Sequence, residues 1–171
     1  LVATLLIPWQ LNAQILLNEN FDTLTSGVPK GWVAEGTYSQ SWQSTKDSYT
    51  SGWENSYGLF FNCYSASTGL TAILKSPVID LSSSSKDMIL SFYLYDADED
   101  DIKVYLSKDS GATYESILLL ECAKVSGWQT IEIPLGAYKT ESSVCIVWYG
   151  VSSYGYSRPT LDNVMIAPAP S

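Results

Sequence analysis

Apolar and polar residues alternate with a period of two over much of this chain, most regularly between residues 90 and 111. In LSFYLY (residues 90–95) every second residue is apolar, beginning with Leu90, and in DIKVYLS (residues 101–107) Ile102, Val104 and Leu106 share one parity. Such alternation is typical of a strand that rests one face on a core, and KDSG (residues 108–111) supplies turn residues. The two segments predict an antiparallel pair, joined across an acidic turn, whose apolar face the rest of the chain must cover.

Further short apolar or alternating segments predict the remaining strands. Residues 34–57 are rich in Ser, Thr and Gly and predict long loops with short strands, and no segment shows helical periodicity. Nine or ten short strands without helices predict an all-β fold, a two-sheet antiparallel β-sandwich of jelly-roll type. The other strands are expected at residues 15–21, 57–63, 71–74, 114–122, 129–135, 143–150 and 160–166.

The two ends of the chain differ in composition from the part between them. Residues 1–14 carry no charge and open on an apolar run that is too short to span a bilayer. They predict the tail of a secretory signal with cleavage between Ala13 and Gln14, the alternative being an apolar first strand. Residues 167–171, APAPS, predict the start of a Pro-rich linker. We therefore expect a signal-peptide remnant (1–14), a jelly-roll domain (15–166) and a linker start (167–171) in a secreted or cell-surface, multidomain chain without a membrane span after cleavage.

The composition limits the classes of function. Asp and Glu number 18 against 9 Lys and Arg, a net charge of −9, which argues against nucleic acid and anionic membranes as partners. The absence of His removes the commonest general base, and the sequence contains neither a facing carboxylate pair nor a phosphate-binding glycine loop. The domain is therefore predicted not to be an enzyme, although it could serve as an accessory domain of a larger secreted one.

The three cysteines fit no metal-binding spacing. Cys63, Cys122 and Cys145 each lie in an apolar or aromatic context. In an exported chain they could form one disulfide and leave one thiol. Alternatively, all three are small buried hydrophobic residues.

Six motifs occur in a fixed order: ENFD (19–22), VPKGW (28–32), SPVIDLS (76–82), DDIKVYLSKDSGATYESI (100–117), W-x-x-I-x-I-P-L (128–135) and TLDNVMI (160–166). Together they resemble the cleaved-adhesin or choice-of-anchor J domain of secreted Bacteroidetes proteins, which is related to MAM domains. The resemblance covers about residues 16 to 166 and implies a jelly-roll fold, an exported adhesion or ligand-binding module, and structural calcium. The family more often has two consecutive acids where this chain has Asp162 and Asn163.

Asp162 is the most informative candidate for metal binding. It shares strand parity with Val164 and Ile166, which predicts that it lies on the apolar side of the last strand. A buried carboxylate must be neutralised, hydrogen-bonded or metal-bound, and calcium prefers oxygen ligands. The alternative is that Asp162 accepts backbone N–H groups in a turn. If the terminal strands are neighbours, the predicted calcium ligands are Asp162, Asp22, Glu19 and Asn20.

An acidic run at residues 96–101 is more conspicuous and less diagnostic. It lacks the glycine and the distal glutamate of an EF-hand loop. Five acids in six residues repel one another, so a cation could order them, but a solvated turn is the usual fate of such a run. Asp101 is expected to begin the second strand of the pair.

Aromatic residues predicted in loops or at strand ends suggest a ligand site. Aromatic faces stack on the apolar faces of sugars or anchor protein interfaces. The predicted ligand-binding residues are Tyr154, Tyr156, Arg158, Trp53 and Trp42, with Tyr57 and Tyr149 as further exposed aromatics.

These features leave three functional hypotheses. The first is a secreted, calcium-stabilised, adhesin-like module that binds a host protein or a cell-surface ligand. The second is a carbohydrate-binding module appended to a secreted glycan- or protein-degrading enzyme. The third is a structural spacer without a ligand.

Overall fold

The alternating segments form eleven strands in a computed structural model, which describes residues 14–36, 42–45, 51–63, 66–95, 100–115, 117–153 and 158–170. All the strand pairs are antiparallel, and the strands divide between two sheets. The helical residues in the described ranges belong to three short 3-10 turns, Trp53–Asn55, Leu81–Ser83 and Gly136–Tyr138. None of these is long and apolar enough to cross a membrane.

One sheet has six strands. Its order is β3-β4-β11-β6-β9, and β1 pairs with β11 on the side of β11 that also faces β4. The N-terminal and C-terminal strands of the described chain are therefore neighbours. The strands are β1 (Leu17–Glu19), β3 (Trp42–Thr45), β4 (Gly58–Phe61), β6 (Met88–Tyr95), β9 (Trp128–Pro134) and β11 (Thr160–Pro168).

The other sheet has five strands in the order β2-β5-β10-β7-β8. The two sheets enclose one core, to which β6 contributes every second residue from Met88 to Leu94, and β7 contributes Ile102, Val104 and Leu106. The predicted all-β sandwich of jelly-roll type is confirmed. The strands are β2 (Val33–Gly36), β5 (Thr71–Lys75), β7 (Asp101–Ser107), β8 (Ile117–Glu121) and β10 (Cys145–Val151).

Aromatic rings fill the middle of the core. The Trp148 ring stacks on Trp32 at a centroid distance of 5.7 Å and meets the edge of Phe92 at 5.6 Å. Phe21 packs against Trp32 at 5.5 Å. The VPKGW motif therefore places a Trp between the sheets, where large rings supply much of the buried apolar area.

The predicted pairing of residues 90–95 with residues 102–107 is wrong. β6 pairs with β11 and β9 in the six-stranded sheet, whereas β7 pairs with β10 and β8 in the five-stranded sheet. Each strand does rest one face on the core, as the alternation predicts. Alternation identifies the buried face of a strand but not its neighbours, because the same pattern suits a hairpin and a crossover between facing sheets.

A β-bulge in β11 reverses the parity on which the placement of Asp162 depends. Asp162 pairs with Tyr93 and Met165 with Ser91, so two residues of β11 stand opposite Phe92 alone. Asn163 takes up the extra position at φ 50°. Asp162 therefore lies on the outer face of the six-stranded sheet, not on the apolar inner side. Its burial was predicted for the wrong reason.

The last strand extends beyond the predicted domain boundary at residue 166. β11 continues to Pro168, and Ala169 donates its N–H to the carbonyl of Asp87 at 2.9 Å. Residues 167 and 168 therefore belong to the sheet and not to a linker. Residues 1–13 lie outside the described residues.

All three cysteines lie in the described ranges, and none of them forms a disulfide. Cys63 and Cys145 are buried, and Cys122 is half-buried. Burial raises the pKa of each thiol, that of Cys122 to about 12. The interpretation as small buried hydrophobic residues is confirmed for Cys63 and Cys145, whereas Cys122 keeps part of its surface exposed.

Candidate binding groove

A groove of about 500 Å³ crosses the outer face of the six-stranded sheet. The strand register places Asn18, Met165, Ser91 and Glu132 side by side, one residue from each of β1, β11, β6 and β9. Since neighbouring strands lie 4.7–4.9 Å apart, this row spans about 14 Å. We call these four residues the cross-strand row. The groove is lined by the row together with Trp53, Glu54, Phe92, Tyr93, Thr130 and Asn163.

Two rings of a four-ring aromatic cluster, Trp53 and Tyr93, line the groove. Trp53 comes from the 3-10 turn that precedes β4, and its ring packs on Tyr93 at 4.9 Å and against Trp128 at 5.6 Å. Tyr95 adds a contact with Trp128 at 5.2 Å. All four rings are half-buried, so each keeps part of its surface available to solvent or to a ligand.

The carboxylate of Asp162 holds residues 52–57 against the sheet. We call residues 52–57 the covering segment. The Oδ2 atom accepts the N–H of Trp53 at 2.7 Å and the hydroxyl of Ser56 at 3.1 Å, and Oδ1 accepts the N–H of Asn163 at 2.6 Å. Gly52 leaves room for this arrangement, because a Cβ there would lie 2.5 Å from Oδ2. The outward-facing Asp162 is therefore fully buried beneath the covering segment.

Burial dominates the electrostatics of Asp162. Loss of hydration raises the pKa of its carboxyl to about 6, and the three hydrogen bonds oppose that rise. The negative charge of Asp22 raises the pKa further. The hydrogen bonds from Trp53 and Asn163 to the carboxylate of Asp162 are those expected from the alternative to calcium binding, in which Asp162 accepts backbone N–H groups in a turn.

Of the other predicted calcium ligands, Glu19 is the last residue of β1, and Asn20 and Asp22 follow it. The terminal strands are neighbours, as the calcium prediction requires. Glu19 Oε1 accepts the N–H of Phe21 at 2.8 Å, and Asn20 Nδ2 donates to Asp22 Oδ2 at 2.7 Å. In the described ranges there is no group of three or more His, Cys, Asp or Glu side chains that could hold a metal ion.

The predicted ligand-binding residues separate into different environments. Trp53 lies at the groove, whereas Trp42 is 1% exposed, packs on Phe61 at 6.0 Å and donates its Nε1–H to the carbonyl of Ala72 at 3.4 Å. The prediction of Trp42 as a ligand residue is therefore wrong. Its strand pairs with β4, and this pairing turns the indole into the core.

The remaining candidates lie away from the groove or outside the described residues. Arg158 is half-buried, and its charge acts on the thiol of Cys63. Tyr149 lies on the outer face of the five-stranded sheet, where it stacks on Tyr114 at 6.2 Å. Tyr154 and Tyr156 lie outside the described residues.

Of the two described residues of the acidic run, Asp100 and Asp101, the first has a buried carboxylate. Asp100 is 2% exposed and accepts the thiol of Cys63 and the N–H of Ser153, both at 2.9 Å. The prediction of a solvated turn is wrong for this residue. Asp101 begins β7 as predicted and pairs with Lys124 at 2.7 Å. Residues 96–99 lie outside the described residues.

The residues that line the groove were largely missed by the sequence analysis. Ser91, Tyr93, Thr130 and Glu132 occupy the outward positions of strands that the alternation predicts correctly. Their parity in the sequence indicates that these side chains face outward from a sheet. The missing information was the order of strands, since only pairing of β6 with β9 brings these side chains together.

The comparisons with known proteins identify the fold. No family model and no curated protein matches the sequence. The K3 cleaved adhesin domain of Lys-gingipain from Porphyromonas gingivalis matches with a TM-score of 0.68 and 17% identity, over 92% of this chain and 99% of that one. The prediction of a cleaved-adhesin-like jelly roll is confirmed at the level of the fold.

Carbohydrate-binding modules share the same fold. TmCBM61, solved in complex with β-1,4-galactotriose, matches with a TM-score of 0.63 and 16% identity, over 92% of this chain and 100% of that one. The CBM22-1 xylan-binding domain of Paenibacillus barcinonensis Xyn10C matches with a TM-score of 0.56 and 13% identity, over 93% and 97% of the two chains. The chain thus has a jelly-roll fold common to adhesin and carbohydrate-binding domains.

Proposed function

We propose that this domain is a non-catalytic binding module that holds a carbohydrate chain in the groove on the outer face of the six-stranded sheet. The observation that carries the proposal is the position of the Trp53 ring beside the cross-strand row. A sugar ring has apolar C–H faces, which suit an indole, and hydroxyl edges, which suit the amide of Asn18, the hydroxyl of Ser91 and the carboxylate of Glu132. Ligand sites commonly combine such an apolar wall with a few placed polar groups.

The likeness in fold to TmCBM61 and to the xylan-binding CBM22-1 domain supports a glycan ligand. The likeness to the K3 adhesin domain favours the second candidate, a host or cell-surface protein bound by the same face. The groove favours the glycan, because its cross-strand row carries three polar residues and one apolar residue, Met165, rather than forming one apolar patch. A location outside the cell, which residues 1–13 predict, suits either ligand.

Calorimetric titration of the protein with soluble galactan, xylan and mannan tests the proposal. We expect at least one of these glycans to bind and Trp53→Ala to abolish binding. The Trp53 side chain is removable without loss of its hydrogen bond to Asp162, because the donor is the backbone N–H. Tyr114→Ala is the matched control, since Tyr114 lies on the outer face of the five-stranded sheet and its loss should leave binding unchanged.

Two results would overturn the glycan proposal. One is a complete absence of binding across the neutral glycans, and the other is equal loss of binding in both variants. The second candidate would instead be established if the domain binds a purified surface protein, if Trp53→Ala abolishes that binding, and if no glycan competes with it.

We also propose that calcium stabilises the domain through oxygens of Asp162, Asp22, Glu19 and Asn20. The adjacency of β1 and β11 and an all-oxygen donor set support it. The ion would have to draw these side chains together, since no three of the described acids already form a metal-binding group, and it would share oxygens that already accept hydrogen bonds. Binding to the native state alone would raise the melting temperature in calcium relative to chelator, and identical melts in the two conditions would refute the proposal.

A further inference from the structure

The charged side chains that line the groove are acidic. Glu54 and Glu132 stand at the groove, and the other polar residues there are neutral. None of the six described strands of this sheet contains Lys or Arg. Both lysines that lie in described strands, Lys75 and Lys103, belong to the five-stranded sheet.

Lys75 and Lys103 form ion pairs on the five-stranded sheet, which does not carry the groove. Lys75 pairs with Glu35 and Lys103 with Glu121, each at 3.0 Å, on the five-stranded sheet. The charge of the whole chain, −9, therefore adds to the local field of the groove and does not offset it. The other ion pairs in the described residues are Lys108–Glu141, Lys124–Asp101 and Lys139–Asp87.

Resting on the proposed function, we infer that the groove selects uncharged glycan chains and rejects acidic ones, such as those that carry uronic acids or sulfate. The hydroxyls of a neutral sugar can donate to the carboxylates of Glu54 and Glu132, and hydrogen bonds to a charged acceptor are stronger than neutral ones. A carboxylate or sulfate on the glycan would instead meet like charges, with no Lys or Arg among the groove residues to pair with it.

The cross-strand row also indicates how the bound glycan is oriented. Its four residues run from β1 to β9, perpendicular to the strands, over about 14 Å. This length suits a short oligosaccharide segment and not a single sugar ring. The glycan therefore lies across the strands with one end beside Glu132, which puts that carboxylate within reach of a charged group on the sugar units at that end.

The test compares one neutral glycan with a chemically matched acidic form. The neutral glycan that binds best among galactan, xylan and mannan is titrated into the full chain, followed by the same glycan after partial carboxylation. We expect the carboxylated form to bind at least about tenfold more weakly at low salt, the factor that corresponds to about 1.4 kcal/mol of like-charge repulsion. The difference should narrow as added salt screens the charges.

Charge variants then locate the selectivity. Glu132→Gln should narrow the difference in affinity between the two forms, and it should also weaken binding of the neutral form, because it replaces a charged acceptor by a neutral one. Glu121→Gln removes one acid from the opposite sheet, where it pairs with Lys103, and should leave the difference unchanged. The pair of variants carries the same change in net charge, so an effect of Glu132→Gln alone is local to the groove.

The failures are distinguishable. If the carboxylated form binds as tightly as the neutral form and Trp53→Ala abolishes both, the charge selectivity is refuted and the glycan function stands. If neither form binds, the proposed function falls and the inference falls with it. If Glu121→Gln narrows the difference as much as Glu132→Gln, the selectivity comes from the charge of the whole molecule, and its assignment to the groove is wrong.

Discussion

Asp162 shows how a single residue can be recognised in the sequence and misplaced in the structure. A lone acid before an apolar strand end marks it as unusual, and it is fully buried. Its parity with Val164 nevertheless misleads, because the extra residue at Asn163 turns the two side chains to opposite faces of the sheet. The carboxylate thus serves the outer face, where it orders the covering segment beside the groove.

We predict that Asp162→Ala lowers the free energy of unfolding by about 1–3 kcal/mol, the usual cost of leaving buried donors unsatisfied. The substitution removes the acceptor of the Trp53 N–H, the Ser56 hydroxyl and the Asn163 N–H. Urea denaturation in the presence of chelator measures this loss without any contribution from metal. Asp87→Ala is the control, since the Asp87 side chain is exposed and its ion pair with Lys139 is long, at 3.5 Å.

Repeating both denaturation curves in excess calcium separates the two roles of Asp162. If calcium binds at this residue, the wild-type protein gains stability in calcium and Asp162→Ala does not. An equal loss in both conditions would leave Asp162 as an acceptor in a turn alone. Wild-type stability in the variant under chelator would contradict the hydrogen-bonding role itself.

Trp42 and Trp53 show a limit of prediction from local sequence. Both lie in a stretch rich in Ser, Thr and Gly, and the same signal predicted both as exposed. Pairing of β3 with β4 turns Trp42 into the core, whereas Trp53 lies on a 3-10 turn above the sheet. The difference depends on contacts with distant segments, Ala72 for one indole and Tyr93 for the other, which no window around either residue contains.

For the strands, alternation predicted the buried faces but not the neighbours. The inward residues of β6, β7 and β9 are those expected from the sequence. The predicted hairpin failed because β6 and β7 lie in opposite sheets. The groove was out of reach for the same reason, since its cross-strand row exists only once β1, β11, β6 and β9 are placed side by side.

The covering segment gives a test of the groove that leaves its lining residues unchanged. We predict that Gly52→Ala reduces the free energy of glycan binding at least as much as it reduces the free energy of unfolding. A methyl group at this position would lie 2.5 Å from Asp162 Oδ2 and would also meet the carbonyl of Tyr57, so the segment must shift and carry Trp53 with it. Glycan titration and thermal melting of the same preparation measure the two effects.

Gly136→Ala serves as the matched control for this substitution. Gly136 begins a 3-10 turn, as Gly52 directly precedes one, and a Cβ at Gly136 would make ordinary van der Waals contact with Asp87 at 3.4 Å. We expect nearly unchanged binding and stability. Unchanged glycan binding in Gly52→Ala would show that the position of the covering segment does not matter to the site.

The whole molecule presents two different outer faces. The five-stranded sheet carries lysines in ion pairs and a cluster of tyrosines packed over Ile73, Cys145 and Val147. The six-stranded sheet carries the acidic groove and the covering segment. This asymmetry allows one face to be tested against the other, because a substitution on the five-stranded sheet reproduces the change in charge or ring area without touching the groove.

The stability of the molecule is expected to be independent of reducing agents. Exported domains often depend on disulfides, but the three cysteines here form none, and a chain of 171 residues buries a core large enough to fold without them. We predict the same melting temperature with and without reductant.

Thiol labelling provides the second measurement. Burial disfavours the reactive thiolate of Cys63, Cys122 and Cys145, so the native protein should label slowly and the denatured protein should release three thiols. Fewer than three thiols, or a melting temperature that falls on reduction, would reveal a disulfide and contradict this packing. Three protected thiols would mean that packing alone keeps the chain folded, in a reducing compartment as well as in an oxidising one.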